Sequence, residues 1–344
     1  MRDGTLARMR RWFALFVLAA LAACGSGDAG ERAAPIDRAT TTAAVTTTSE
    51  PRPQVPPATE PPAAVQIDPV PAREPRALTT PTGVVAPIIG TDPAGYVVRT
   101  PCGRQATIAS GTPHRGAHAV LDAGHGGGET GAVGPAGLTE KALNLAVSLH
   151  AEEALEAAGL EVMQTRTQDY RITLATRAEI ATLLEPRVFV SIHHNAAPDG
   201  EWPRPGTETF YQIRSADSKR LAGLIWEEVV AALSRFEAHW VADTDAGAKY
   251  RPNSQGGDYY GILRRSERVT AVLAELAFVS NPSEEALLAR PDVQKAEGVA
   301  VARGILRYLK GDESRPDAFT EPYPRETPAG PGGGAEGCED PPLS

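Results

Sequence analysis

The chain has 344 residues and a formal net charge of −9, with 30 prolines and 33 glycines. That length allows one large domain or two small ones, and the acidic balance argues against a nucleic-acid-binding face. No Phe, Trp or Tyr occurs between Phe16 and Tyr96, so the main core has to come from later residues.

The chain opens on a leader. Arg2, Arg8, Arg10 and Arg11 precede an apolar run from Trp12 to Leu21. The run has the length of a signal-peptide core and is too short to span a bilayer. It ends Leu21-Ala22-Ala23-Cys24, followed by Gly25 and Ser26. This resembles the lipobox of bacterial lipoproteins. The resemblance implies that residues 1–23 are a signal peptide and that Cys24 is lipidated. The protein would then be exported and anchored to the membrane, facing the cell wall or periplasm. An ordinary cleaved leader with an incidental cysteine is the alternative. Cys102 and Cys338 then remain, and a pair in an exported protein reads first as a disulfide. Two free thiols stay open as the other reading.

Between Pro35 and Thr82, 11 of 48 residues are Pro and 10 are Thr. Such a composition buries too little to offset the entropy of ordering. Residues 24–93 are therefore expected to be a disordered tether, averaging roughly 50 Å as a loose coil and reaching about 200 Å as polyproline II. Residues 96–99 and 105–108 suggest a small hairpin opening a domain over 94–311. Ala119-Val120-Leu121 reads as a strand running into the glycine loop 124–128. A helix follows from Glu140 to Ala158, with Thr139 at its start and Gly159 at its end. Leu160 to Thr165 is the next strand, and 173–184 a helix stopped before Pro186. Val188-Phe189-Val190-Ser191-Ile192 is a continuous apolar strand, as expected inside a parallel sheet. A strand over 207–212, a helix over 216–234, a strand over 269–276 and a helix over 293–309 complete the pattern. Strands alternating with helices indicate an α/β domain with a central, mostly parallel sheet flanked by helices. Residues 312–344 return to a Pro/Gly-rich composition and read as a tail.

Three polar side chains fall at strand ends: His125 after the first strand of the domain, His193 after Ile192, and Glu275 near the end of 269–276. In open α/β sheets the binding crevice lies outside the carboxyl ends of the strands. Glu140, joined to His125 by a glycine-rich loop, can reach the same edge. Two histidines and a carboxylate form a set suited to catalytic zinc, with a further glutamate free to take a proton from water. Taken singly, none of these residues is specific.

The surrounding blocks are specific together. They read Asp122-Ala123-Gly124-His125-Gly126-Gly127-Gly128, then Gly137-Leu138-Thr139-Glu140-Lys141-Ala142-Leu143-Asn144, then Ser191-Ile192-His193-His194-Asn195-Ala196, then Glu275-Leu276-Ala277-Phe278-Val279-Ser280-Asn281. In that order, over about residues 118–309, they resemble the zinc-dependent N-acetylmuramoyl-L-alanine amidases of the type 3 amidase family. The resemblance implies Zn2+ on His125, Glu140 and His193, with Glu275 as the catalytic glutamate. It further implies that a metal-activated water cuts the amide between N-acetylmuramic acid and L-alanine in peptidoglycan. His194 stands where the family often has alanine. Neighbours on a strand face opposite ways, which leaves His194 to support a ligand from behind or to pack in the sheet. Asp122 is expected either to orient a ligand imidazole or to cap a turn. Asn195 and Arg264 are further candidates for substrate contact, Arg264 toward a carboxylate or an oxyanion. Between Asn195 and Gly261 a strand, a helix and a polar loop account for the chain, so no inhibitory plug is evident. The sequence names no activating protein. A lipoprotein that binds cell wall without cutting it and a zinc peptidase acting on stem peptides stay open as alternatives.

Overall fold

The structure, a computed structural model, describes residues 60, 62–71, 73–196, 201–242, 246–324 and 333–344. The leader, Cys24 and residues 24–59 of the expected tether lie outside them. Folding begins earlier than the composition suggests. Strands β1 (Ala77–Thr79), β2 (Val85–Asp92), β3 (Gly95–Arg99), β4 (Gln105–Ile108) and β5 (Thr112–His114) form one antiparallel sheet in the order β4-β3-β2-β1-β5. The expected hairpin is its β3–β4 pair. The expected tether therefore cannot extend to residue 93. Ala77, Leu78, Val84, Val85 and Ala86 are buried, a short apolar set that the surrounding Pro and Thr residues conceal in any composition average.

The main domain follows in chain order: β6 (Ala119–Ala123), α1 (Glu140–Ala157), β7 (Val162–Gln164), α2 (Leu174–Leu184), β8 (Val188–Asn195), β9 (Glu208–Tyr211), α3 (Ala216–Leu233), β10 (Ala248–Lys249), α4 (Gly261–Arg265), β11 (Ala271–Phe278), α5 (Pro282–Leu288) and α6 (Pro291–Leu309). Its sheet has the order β10-β9-β11-β8-β6-β7. Strands β7, β6, β8 and β11 are mutually parallel, and β9 pairs antiparallel with β11. The domain is thus α/β with a mixed, mostly parallel sheet. Local chemistry sets the helix ends. The Thr173 hydroxyl accepts from Thr176 N and the Ser215 hydroxyl from Ser218 N, each satisfying a free amide of a first turn. Pro291 occupies the first turn of α6, where its missing N–H costs nothing.

Alternation along the strands builds two cores. Val188, Val190 and Ile192 of β8 join the cluster with α1, α3 and α6, whereas Phe189 joins Val120, Phe210 and Leu273 against α2 and α4. Burying each such aromatic or branched side chain stabilises the fold by roughly 1.5–3 kcal/mol relative to exposure. The same parity sends His194 toward the α1/α6 side and His193 to the opposite face.

The expected tail is also part of the fold. Pro316–Ala318 forms a 3-10 turn, and Phe319 bridges Ala248 at the edge of the main sheet. Cys338 is disulfide-bonded to Cys102. Leu343 packs against the small β1–β5 sheet. Among the described residues, no helix is long and apolar enough to cross a membrane.

Candidate metal centre

Strand β6 delivers Asp122 and then His125 to the carboxyl edge of the sheet. His125 has φ 60°, a left-handed conformation that side chains rarely adopt. Two buried arginines hold this bend. Arg166 donates from Nε to Ala123 O (2.9 Å) and from Nη2 to Gly124 O (2.9 Å) and Lys141 O (2.7 Å). Arg177 donates from Nη1 to Ala123 O (2.8 Å) and from Nη2 to His125 O (2.6 Å). Asp122 anchors Arg177 at 2.5 Å and accepts from the Thr165 and Ser191 hydroxyls at 2.6 and 2.7 Å. Burial alone would raise the Asp122 carboxyl; Arg177 and the two hydroxyls outweigh it and hold it below the usual range. Neither expected role of Asp122 describes these contacts. It bonds to no ligand imidazole here and locks the bend through Arg177.

Glu140 opens α1, where the unpaired amides of the first turn favour a negative charge. Its Oε2 accepts from Ala132 N at 2.8 Å. Its Oε1 lies 3.1 Å from His125 Nε2 and 2.9 Å from His193 Nδ1. The two imidazoles meet edge to face with ring centroids 5.0 Å apart. One ligand atom from each of His125, Glu140 and His193 lies within 4.8 Å of the others, a spacing able to hold a metal ion. Glycines make room for this convergence. A Cβ on Gly124 would fall 2.2 Å from His193 Cε1, and one on Gly131 would fall 2.3 Å from Glu140 Oε2.

Burial and hydrogen bonding set the charges of the three groups. Burial opposes a charged His125 ring, but Glu129 and Glu140 push its pKa up to about 9. Burial likewise works against the Glu140 carboxylate, yet hydrogen bonds from His125 and His193 hold it far below the ordinary carboxylate range. His193 is pushed down by burial, against the pull of Glu140. The set is therefore one charged ring, one neutral ring and one carboxylate, a donor group that a divalent cation can take over by displacing a proton.

Glu275 on β11 is the register partner of His193 on β8. Burial raises its carboxyl well above the usual range, and the negative charges of Glu140 and Glu208 add to the effect. Its Oε2 is shielded from solvent and has no hydrogen-bond partner among the described residues.

The other anticipated residues lie nearby with different partners. His194 sits on the far face, its Nδ1 2.8 Å from Asn144 Oδ1 and its Nε2 3.3 Å from Glu297 Oε1. Asn195 donates to Glu208 Oε2 at 2.7 Å. Arg264 lines the cleft and donates from Nη1 to the Asp258 and Tyr259 carbonyls at 2.6 and 2.8 Å. The cleft holds about 480 Å³ and runs from His125 and His193 to Tyr259, Tyr260 and Arg264.

Sequence reasoning missed several participants. Glu129 accepts from His125 Nδ1 at 3.0 Å; its position four residues beyond His125, in the glycine loop, is the one local signal that could have found it. Arg166 and Arg177 have the composition of surface residues, and nothing local marks them as buried. Glu208, beside Glu275 in register, forms an ion pair with buried Lys249 and accepts from the Tyr323 hydroxyl at 2.8 Å.

The chain is similar to several known proteins. The family model described as N-acetylmuramoyl-L-alanine amidase matches residues 119–307. An uncharacterized protein, YqiI, of Bacillus subtilis (strain 168) is 34% identical over 213 residues, 60% of this chain and 94% of that protein. The germination-specific N-acetylmuramoyl-L-alanine amidase of the same organism is 31% identical over 217 residues, 58% of this chain and 84% of that protein. Among solved structures, the catalytic domain of CwlV, an N-acetylmuramoyl-L-alanine amidase from Bacillus (Paenibacillus) polymyxa var. colistinus, is 34% identical with a TM-score of 0.47, covering 56% of this chain and 97% of that one. With more than half its length matched by the family model, the chain belongs to the type 3 N-acetylmuramoyl-L-alanine amidase family.

Proposed function

We propose that this chain hydrolyses the amide between the lactyl group of N-acetylmuramic acid and L-alanine in peptidoglycan, with Zn2+ held by His125, Glu140 and His193 and with Glu275 as general base. The observation that carries the reading is the pairing of a compact His/Glu/His cluster with an unpartnered buried carboxylate oxygen on the adjacent strand. A buried polar atom without a partner is costly, and Glu275 Oε2 is such an atom at the one edge where a reacting water belongs. Two nitrogens and one carboxylate oxygen also suit zinc better than magnesium or calcium, which prefer all-oxygen sites.

When bound, zinc supplies Lewis acidity toward the attacked carbonyl and the water. The chain's own residues do the rest. Glu129 fixes the His125 ring through Nδ1, leaving Nε2 directed at the cluster. Glu275 takes the proton of the attacking water and returns it to the departing amine of L-alanine. Burial raises its carboxyl well above the usual range, which makes it a stronger base than an exposed glutamate. Arg264, on the cleft wall, offers positive charge to a carboxylate of the stem peptide. Cys24 as a lipid anchor and the segment before residue 60 as a tether complete the proposal, holding the catalytic domain outside the membrane within reach of the wall.

The test is mass spectrometry of peptidoglycan incubated with purified protein. Free stem peptides beginning at L-alanine and unsubstituted glycan are expected. Shortened stems still attached to glycan would make it a peptidase. Intact muropeptides that co-sediment with the protein would make it a wall-binding module.

A further inference from the structure

Residues 333–338 form a strap that starts at the cleft. Gly333 lines it and accepts from Leu174 N at 3.1 Å. From there Arg171 holds the chain, donating from Nη2 to Gly334 O (3.1 Å) and from Nη1 to Glu336 O (2.7 Å), and Arg104 Nη2 donates to Cys338 O (3.3 Å). Cys338 is also bonded to Cys102. Asp340 then accepts from Cys102 N (2.8 Å), the Thr100 hydroxyl (2.9 Å) and Arg104 Nη1 (2.7 Å). The strap is thus pinned firmly just beyond the point where Arg171 grips it.

The third donor of Arg171 points the other way. Its Nε donates to Glu129 Oε2 at 3.1 Å, and Glu129 Oε1 accepts from His125 Nδ1 at 3.0 Å. A guanidinium presents its donors in one rigid plane. Two strap carbonyls on one edge therefore fix the direction in which Nε meets Glu129. Glu129 in turn sets the tautomer and orientation of the His125 ring. Arg171 has 19% of its side chain exposed; its bond to Glu129 is partly buried, and its two bonds to the strap carbonyls are exposed.

We propose that Arg171 is a positioning residue for the metal ligand His125, acting through Glu129, and that the disulfide-pinned strap 333–338 holds Arg171 in place. Metal affinity then depends on a covalent bond at the far end of the chain. The inference rests on the metal reading given above and adds a determinant outside the ligand set.

The test uses the full chain in its oxidised form and reads zinc affinity by competition with a chromophoric chelator, well below the unfolding temperature. Arg171→Met should weaken zinc binding by about 10- to 100-fold, the usual effect of losing a group that orients a ligand. In a Glu129→Gln background the same change should add little, because the route is already cut. The Cys102→Ser/Cys338→Ser pair should weaken binding in the same direction; if that variant does not fold, mild reduction of the intact chain replaces it. Wild-type zinc affinity in Arg171→Met, or a full additive effect on top of Glu129→Gln, overturns the proposal. Unchanged affinity without the disulfide overturns the role of the strap. A wild-type chain that binds no zinc overturns the metal reading itself. Zinc binding that is lost in His193→Ala but indifferent to Arg171 overturns only this inference.

Discussion

His193 and Glu275 face each other across the parallel pair β8 and β11, two and three residues before their strands end at the carboxyl edge of the sheet. Adjacent strands lie about 4.8 Å apart, so a metal ligand and a proton acceptor are neighbours by backbone register alone. Glu275→Gln keeps the shape of the side chain and removes its basicity. The expected result is full zinc content, normal peptidoglycan pull-down and a loss of about 10²- to 10⁴-fold in stem release. Release at the wild-type rate would remove Glu275 from the mechanism.

The two adjacent histidines should respond oppositely. His193→Ala is expected to lose most of the zinc. His194→Ala should keep it, and instead lose about 1–3 kcal/mol of stability, because Asn144 Oδ1 and Glu297 Oε1 lose the buried ring they bond to. Elemental analysis and chemical denaturation on both variants decide the matter. Zinc lost in His194→Ala but kept in His193→Ala would reverse the assignment.

Asp122 and Arg177 form a buried pair that holds the bend at His125. Asp122→Ala leaves the guanidinium charge uncompensated and should cost about 3–5 kcal/mol. Removing both groups, as Asp122→Ala with Arg177→Met, should cost less than the two single changes added together. A simple sum in urea titrations would show that the two side chains act independently.

Zinc uptake should release a proton. In the metal-free protein Glu129 and Glu140 outweigh burial and raise His125 from 6.5 to about 9, whereas a ligand ring must be neutral. Apparent zinc affinity should therefore fall as pH is lowered below about 9, with about one proton released per ion near neutral pH. The same shift has the opposite sign for the metal-free fold. The contact of charged His125 with its carboxylates is fully stabilising below about 6.5 and is lost as pH rises through about 9. Calorimetric titration in two buffers of different ionisation enthalpy measures the proton count; zero would refute it.

Cys24→Ala should abolish lipidation and free the protein from membranes without altering hydrolysis by the folded domain. Persistence in a salt-washed membrane fraction would remove the lipobox reading.

Much of the catalytic domain was legible because its signals are local. Val188 to Ile192 is apolar throughout, as a strand covered on both faces must be, and the edge where His193 emerges follows from that strand alone. The His193/His194 choice could be posed from strand parity. What escaped has no local signature. Ala77, Leu78, Val85 and Ala86 lie in strands whose cover comes from α2, the main sheet and their own sheet, and they sit among residues whose average composition reads as disorder. Arg166, Arg177 and Lys249 carry the charges of surface residues. Their burial depends on carbonyls and carboxylates contributed from other parts of the chain. The final segment, poor in apolar residues, is held by Arg171, Thr82 and the cysteine pair rather than by a core of its own.

Cys102 and Cys338 are 236 positions apart, and every element from β6 to α6 lies between them. In covalent terms the catalytic domain is a ring. A single peptide-bond cut within it opens the ring without dividing the molecule, and the two pieces remain at the high effective concentration that a tether imposes. A clipped copy in an oxidising environment therefore keeps both histidines, Glu140 and Glu275 in one particle. On a denaturing gel it should run as a single band until reductant is added.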